Sequence, residues 1–143
     1  MANLRKWNAP ESWTSILTTE LNSLANAGYC SASTAADNSS GLYEWLFLSI
    51  TLGTLNPTGF PYVEVHWLQL NRDGSTYADR GDATFLVNIP VTTGNAAKYA
   101  NTQAPIWIPP TAGKFVLGNR TNVTMASSGN ILAYARAHEN LNG

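Results

Sequence analysis

Short segments of β-forming residues, each closed by a turn sequence, recur along the chain from residue 42 onward. The clearest is segment 62–70, in which Val63, Val65 and Trp67 alternate with Glu64 and His66. This period of two gives one apolar face and one polar face, which is typical of a half-buried strand. By the same criteria, strands are expected at residues 42–55, 62–70, 84–91, 106–108, 114–117, 122–126 and 131–137.

The turns between these segments are built from glycine, proline, asparagine and aspartate. Asp73-Gly74 is the strongest hairpin signal, because glycine supplies the positive φ that a tight turn needs. Gly118-Asn119 predicts another turn, between segments 114–117 and 122–126. Strands and turns in close succession, without helices between them, predict a mainly β fold: a two-sheet antiparallel β-sandwich that is jelly-roll-like.

The N-terminal part of the chain predicts a helix rather than a strand. Pro10 and Glu11 suit the first turn of a helix over residues 10–27, and Gly28 suits its end. The apolar residues within it recur at spacings of three and four and form one stripe: Trp13, Ile16, Leu17, Leu21 and Leu24. Residues 1–9 have no period of their own and predict an extended arm. The expected organisation is an arm at 1–9 and a single sandwich domain at 10–143 that begins with this helix.

The chain carries little charge. Charged residues make up 12% of the sequence and the net charge is −1, so the basic surface that a general nucleic-acid binder or a polybasic membrane anchor needs is missing. Polarity comes instead from 15 Asn, 15 Thr and 11 Ser. Neutral polar groups are easier to remove from water than ions, so this composition favours an assembly component or a sugar binder over an enzyme.

The residues that could carry chemistry do not form a recognisable catalytic set. Cys30 is the only cysteine, and its neighbours offer no base, which favours a partly buried filler over a nucleophile. Glu64 and His66 project from one face of a strand as a polar pair, an acid–base pair or half of a metal site, and His138 and Glu139 are the candidates for a third ligand. The polar pair is the favoured interpretation. We therefore expect no catalytic residues, no metal, no cofactor and no enzymatic activity.

The aromatic residues are more informative, because the chain holds five tryptophans and six tyrosines. Trp7 lies beside Arg5 and Lys6 in the predicted arm, where it is expected either to anchor in a neighbouring subunit or to fold back onto its own domain. Trp107 is bracketed by isoleucines and prolines, which favours a core position or a subunit contact. A stacking platform for sugars is a further interpretation for Tyr43, Trp45, Phe60 and Tyr62. The candidate interface residues are Trp7, Arg5, Lys6, Trp107, Phe60 and Tyr62.

The last third of the chain resembles a group of known proteins. Read in order, residues 104–111, 114–117, 119–121 and 127–132 are similar to small virion proteins of tailed bacteriophages. The resemblance extends over residues 104–140 and consists of strand and turn residues. It implies a β-sandwich virion component, and jelly-roll decoration or cement proteins have this size and composition. The segment 10–27 departs from the pattern.

Composition and resemblance together predict a bacteriophage capsid decoration (cement) protein, made in the host cytoplasm and located in the virion. It is expected to stabilise the head by binding at capsomer junctions, with the major capsid protein or other virion proteins and sister copies in a homotrimer as its partners. Neither nucleic acid nor a membrane is expected as a partner. The alternatives are another virion component, such as a tail, head-fibre or adaptor protein, and a carbohydrate-binding β-sandwich module.

Overall fold

The structure is a computed structural model that describes residues 4–7, 9–102 and 104–142. Within this part of the chain the fold is mainly β and contains no α-helix; the only helical turns are short 3-10 turns at Thr19–Leu21 and Arg80–Asp82. The strands are β1 Leu4–Trp7, β2 Thr14–Leu17, β3 Ala36–Asp37, β4 Trp45–Leu55, β5 Tyr62–Gln69, β6 Thr84–Pro90, β7 Ala96–Asn101, β8 Ile106–Trp107, β9 Ala112–Arg120, β10 Ile131–Ala137 and β11 Glu139–Asn142.

Two antiparallel sheets make up the body of the molecule. Sheet one has the strand order β2-β10-β4-β7, with the short β8 also paired to β4. Sheet two has the order β3-β9-β5-β6. The prediction of a mainly β fold with two antiparallel sheets is confirmed. β1 and β11 pair with each other in a small additional sheet of two strands.

The two sheets share one hydrophobic core, and the alternation of residues along each strand explains which face is buried. In β5, Val63, Val65 and Trp67 have almost no exposed surface, as their spacing predicts. Across the core, the ring of Phe115 in β9 lies 5.6 Å from that of Tyr134 in β10, centroid to centroid. The buried side of β4 is entirely aliphatic and consists of Leu46, Leu48, Ile50, Leu52 and Leu55.

The predicted helix over residues 10–27 is wrong. The segment forms strand β2, which pairs antiparallel with β10, and then the 3-10 turn. Leu17 and Leu21 are fully buried, whereas Trp13 at the head of the supposed stripe is 54% exposed. Threonine, serine and asparagine occupy most positions between the apolar residues, and these types favour strands, caps and turns over helix interiors. Pairing with the edge of β10 therefore outweighs the helical spacing.

Two other sequence-based assignments also differ from the structure. Strand β9 runs without interruption through Gly118 and Asn119, which were predicted to form a turn, and residues 122–126 are not a strand. Asn119 is fully buried and its amide nitrogen donates hydrogen bonds of 2.9 Å to the backbone carbonyls of Leu24 and Val123. Asparagine often forms turns on the surface, but here the buried side chain of Asn119 binds the loops that contain Leu24 and Val123 to strand β9.

The N-terminal segment is tied to the C-terminal one. Leu4–Trp7 pairs antiparallel with Glu139–Asn142, and Trp7 is the register partner of Glu139. An extended backbone was predicted for these residues, and the strand pairing gives it a partner within the same chain. The side chains of Arg5, Lys6 and Trp7 lie outside the described part of the structure, so their predicted role at an interface stays a prediction.

Candidate functional site

The outer face of sheet two collects four residues that the sequence singled out. Because Val63 and Val65 point into the core, Tyr62, Glu64 and His66 point the other way along β5. Phe60 comes just before this strand and is 95% exposed. Strand β5 therefore carries an aromatic end, at Phe60 and Tyr62, and a charged end, at Glu64 and His66.

The charged end is a closed hydrogen-bonded network. Glu64 Oε2 lies 3.0 Å from His66 Nε2, and Glu64 Oε1 accepts a hydrogen bond from Arg120 Nε of the neighbouring strand β9. Arg120 Nη2 in turn donates to the hydroxyl oxygen of Tyr29 at 3.0 Å. Burial alone would raise the pKa of Glu64, but hydrogen bonds from His66 and Arg120 and the charge of Arg120 outweigh it and hold that pKa below its ordinary value. The carboxylate is ionised at neutral pH and has no proton to donate.

Tyr29 fits into this network because Gly118 leaves room for it. The two residues form an isolated antiparallel bridge, and a Cβ atom at Gly118 would lie 2.9 Å from Tyr29 Cε1. On the tyrosine ring, the guanidinium carbon of Arg80 lies 4.2 Å from the ring centroid, a cation–π distance. The network thus fixes two guanidinium groups and one carboxylate on the outer face of the sheet.

The aromatic end of β5 opens into a cleft of about 520 Å³. The cleft is lined by Gly59, Phe60, Pro61, Tyr62, Asn88, Pro90, Val91 and Thr93. A second cleft, of about 460 Å³, adjoins it and shares Asn88 and Pro90. It is otherwise lined by Val87, Asn101, Thr102, Ala104, Pro105 and Ile106. Both clefts lie along β6, the edge strand of sheet two.

Trp107 belongs to a different region, at one end of sheet one. It is 60% exposed, and its register partner across β8 and β4 is Trp45. The indole Nε1 of Trp45 donates a hydrogen bond of 3.1 Å to Glu139 Oε2 at the start of β11. We call this region, defined by Trp107, Trp45 and Glu139, the tryptophan end. Because Glu139 is also the register partner of Trp7, strand β1 lies at the same end of the molecule.

The four aromatic residues considered as one platform are therefore divided between the two sheets. Tyr43 stacks on His138 with the ring centroids 4.4 Å apart, and Trp45 lies in β4, whereas Phe60 and Tyr62 line the cleft. His138 Nδ1 lies 3.2 Å from Glu44 Oε2, so it pairs with a different carboxylate from the one that His66 contacts. Among the described residues, the side chains of His, Cys, Asp and Glu nowhere gather in groups of three that could hold a metal ion.

Cys30 is buried within the hydrophobic core, and neither of its neighbours in the sequence is a lysine, arginine or histidine. Its Sγ accepts a hydrogen bond from the Leu117 backbone N–H at 3.2 Å. Burial raises the pKa of the Cys30 thiol to about 11, and the opposing effect of the Leu117 hydrogen bond is smaller. The thiol is therefore protonated at neutral pH, which is the inert form.

Three residues of the site were missed at the level of sequence: Tyr29, Asn88 and Arg120. Tyr29 and Arg120 reach Glu64 from 35 and 56 residues away along the chain, and no local spacing encodes such a register. Asn88 lies directly across from Glu64 through the pairing of β5 with β6.

Comparisons with protein-family models, with curated proteins and with solved structures each find no match to this chain. None of the helical turns among the described residues has the length and apolar character that crossing a bilayer requires.

Proposed function

We propose that this chain is a structural protein of a bacteriophage virion, and specifically a decoration protein that binds the outside of the assembled head at capsomer junctions. The observation that carries the proposal is the strand order, β2-β10-β4-β7 in one sheet and β3-β9-β5-β6 in the other. The chain crosses between the sheets at almost every connection, and only β5 and β6 follow each other as neighbours in one sheet. With the short β8 left aside, this order supports an eight-stranded jelly-roll arrangement, an architecture that recurs in viral capsid and lectin domains.

A shared architecture does not by itself assign a function. The resemblance of residues 104–140 to small phage virion proteins is a second, independent support, because it concerns the identity of residues rather than their arrangement. A third support is the low charge of the chain, since a protein whose surface is covered by neighbours has to give up the hydration of that surface.

The tryptophan end is the surface that we assign to the capsid. Trp107 offers a large ring, 60% exposed, at the edge of sheet one, and buried tryptophans are among the strongest anchors at protein interfaces. Strand β1, with the predicted interface residues Arg5, Lys6 and Trp7, lies at the same end. A protein bound there would stabilise the assembled shell by mass action, because it binds the shell and not its free subunits.

The location is tested by an electron-microscopy map of purified virions of the phage that encodes the chain. The proposal expects density for the sandwich on the outer surface of the head, at capsomer junctions, with the tryptophan end against the shell. Density in the tail, in a head fibre or at an adaptor would contradict a decoration role and indicate that the protein is a component of that other part of the virion. Absence of the protein from purified virions would contradict both.

The contact surface is tested by binding of the purified protein to heads stripped of it. Trp107→Ala is expected to raise the dissociation constant about 30-fold, the equivalent of a hot-spot loss of about 2 kcal/mol. Trp13→Ala is the matched control, because Trp13 is 54% exposed next to β2, at the opposite edge of sheet one. Equal losses in both variants, or none in either, would contradict the assignment of the tryptophan end.

A further inference from the structure

We propose that the cleft at Phe60 and Tyr62 binds an uncharged saccharide. This inference does not depend on a role in the virion. The cleft at Phe60 and Tyr62 lies on sheet two, whereas Trp107 and Trp45 lie on sheet one, and neither tryptophan lines this cleft. Its volume of about 520 Å³ is within the range of sites that hold small ligands, about 300–1,000 Å³.

The lining of the cleft favours a neutral ligand. It includes no lysine, arginine, histidine, aspartate or glutamate. The nearby charges of Glu64 and Arg120 are paired with each other, and the buried ammonium of Lys98 is bonded to the carbonyls of Thr93 and Gly94, so these groups offer an incoming ion little compensation. A charged ligand would give up its hydration without gaining a counter-charge, and that loss is large.

The aromatic rings favour a ligand with an apolar face. Phe60 keeps 95% of its surface in contact with water at the rim of the open cleft, and Tyr62 lines the same cleft. Covering such a ring releases free energy in proportion to the apolar area removed from water. The C–H face of a pyranose ring is flat and apolar, and it is of a size to cover a phenyl ring.

Asn88 favours a ligand with hydroxyl groups over a purely apolar one. Its side chain is exposed on β6, within the cleft, and the described residues provide no hydrogen-bond partner for its amide. A hydrocarbon ligand would cover this amide and leave its donors and acceptor without partners, which costs binding free energy. The hydroxyl groups of a sugar both donate and accept, and therefore match both the donor and the acceptor atoms of this amide.

The adjoining cleft extends the inference from a single sugar ring to a short chain. Asn88 and Pro90 line both clefts, and the second adds Asn101 and Thr102, which are further neutral polar groups. A linear saccharide can occupy the first cleft with one ring and the second with the next, with Asn88 between them. The expected ligand is therefore a neutral oligosaccharide of two or more residues.

The probe is an array of neutral oligosaccharides of hexoses and N-acetylhexosamines, with sialylated and uronic-acid oligosaccharides as the charged comparison. Calorimetric titration with the best neutral binder then measures the dissociation constant. Binding of a neutral oligosaccharide is expected, with weaker binding of its monosaccharide and of charged analogues. No binding of neutral saccharides on the array, or a preference for charged ones, would overturn the proposal.

Site variants locate the binding. Phe60→Ala and Asn88→Ala are each expected to raise the dissociation constant by about tenfold or more, because one removes the stacking ring and the other the central amide. Phe85→Ala is the matched control: Phe85 is also exposed on β6 but does not line either cleft, and its substitution is expected to leave binding unchanged. Circular dichroism verifies that all three variants keep the β fold. Unchanged affinity in both cleft variants would place the saccharide elsewhere and overturn the assignment.

Discussion

At the scale of single residues, the burial of Cys30 makes the stability of the fold depend on pH. Its pKa in the folded protein is raised by burial to about 11 from an ordinary value of 9.0. Between these two values the unfolded chain releases the thiol proton while the folded chain keeps it. The contribution of the buried thiol to the free energy of unfolding is therefore complete below about pH 9 and is lost as the pH rises through about 11. For two pKa units this change in the free energy of unfolding is about 3 kcal/mol.

The prediction is tested with Cys30→Ala, which removes the thiol. Denaturant unfolding of both proteins at pH 8 and at pH 10.5 gives the difference in their free energies of unfolding at each pH. Wild type is expected to lose more stability than the variant over this interval, by about 1–2 kcal/mol, because tyrosine and lysine titration is common to both. Equal losses would mean that the buried thiol does not contribute to the alkaline limb.

At the scale of elements, two substitutions in segment 10–27 distinguish the observed strand from the predicted helix. Leu21 is fully buried, so Leu21→Ala is expected to lower the free energy of unfolding by about 2–5 kcal/mol. Trp13 is more than half exposed, so Trp13→Ala is expected to change it by less than about 1 kcal/mol. Chemical denaturation measures both. An amphipathic helix lying on the core would bury the whole stripe, and then both substitutions would be costly.

The elements that the sequence predicted well are those with a clear alternation and one buried face. Strand β5 follows its pattern residue by residue, since Val63, Val65 and Trp67 are all buried. Strand β7 could not be found in this way, because the one buried residue in it is Lys98. The ammonium group of Lys98 is buried at the end of the sheet and donates hydrogen bonds to the carbonyls of Thr93 and Gly94. Tertiary contacts, and not local propensity, make that residue compatible with a strand.

The candidate site likewise has a part that local spacing predicts and a part that depends on contacts between strands. The spacing of Glu64 and His66 was sufficient to predict that their side chains lie together, because residues two apart share a face of a strand. The contribution of Arg120 depends on the register between β5 and β9, in which Tyr62 is opposite Arg120. That register is fixed by the packing of the whole sandwich, so no pattern within either strand reveals it.

At the scale of the whole molecule, the two sheets carry different chemistry on their outer faces. Sheet two presents the network of Glu64, His66 and Arg120 and the cleft at Phe60. On the outer face of sheet one, by contrast, three neighbouring residues of β4 and β10 are uncharged: Ser49, Thr51 and Ala133. This division places the cleft at Phe60 away from the outer face of sheet one, although the second cleft reaches Asn101 and Ile106 of that sheet.

Deletion of residues 1–8 tests how the small third sheet relates to this division. The deletion removes β1, whose strand partner is β11, and leaves all strands of sheets one and two in place. The melting temperature of the isolated protein is therefore expected to fall by less than about 4 °C, the equivalent of about 1 kcal/mol in a chain of this size. Occupancy on stripped heads is expected to fall clearly, because β1 lies at the tryptophan end.

Deletion of residues 1–3 is the control, since it keeps β1 and is expected to preserve both melting temperature and occupancy. A large fall in melting temperature for the longer deletion would mean that β1 stabilises the chain's own fold, so that lost binding could follow from unfolding. An unchanged melting temperature with unchanged occupancy would remove β1 from the capsid contact. The expected result is a stable protein that no longer binds heads. It would mean that β1 contacts the capsid and is already ordered by its pairing with β11, so that binding does not have to supply the entropy cost of ordering it.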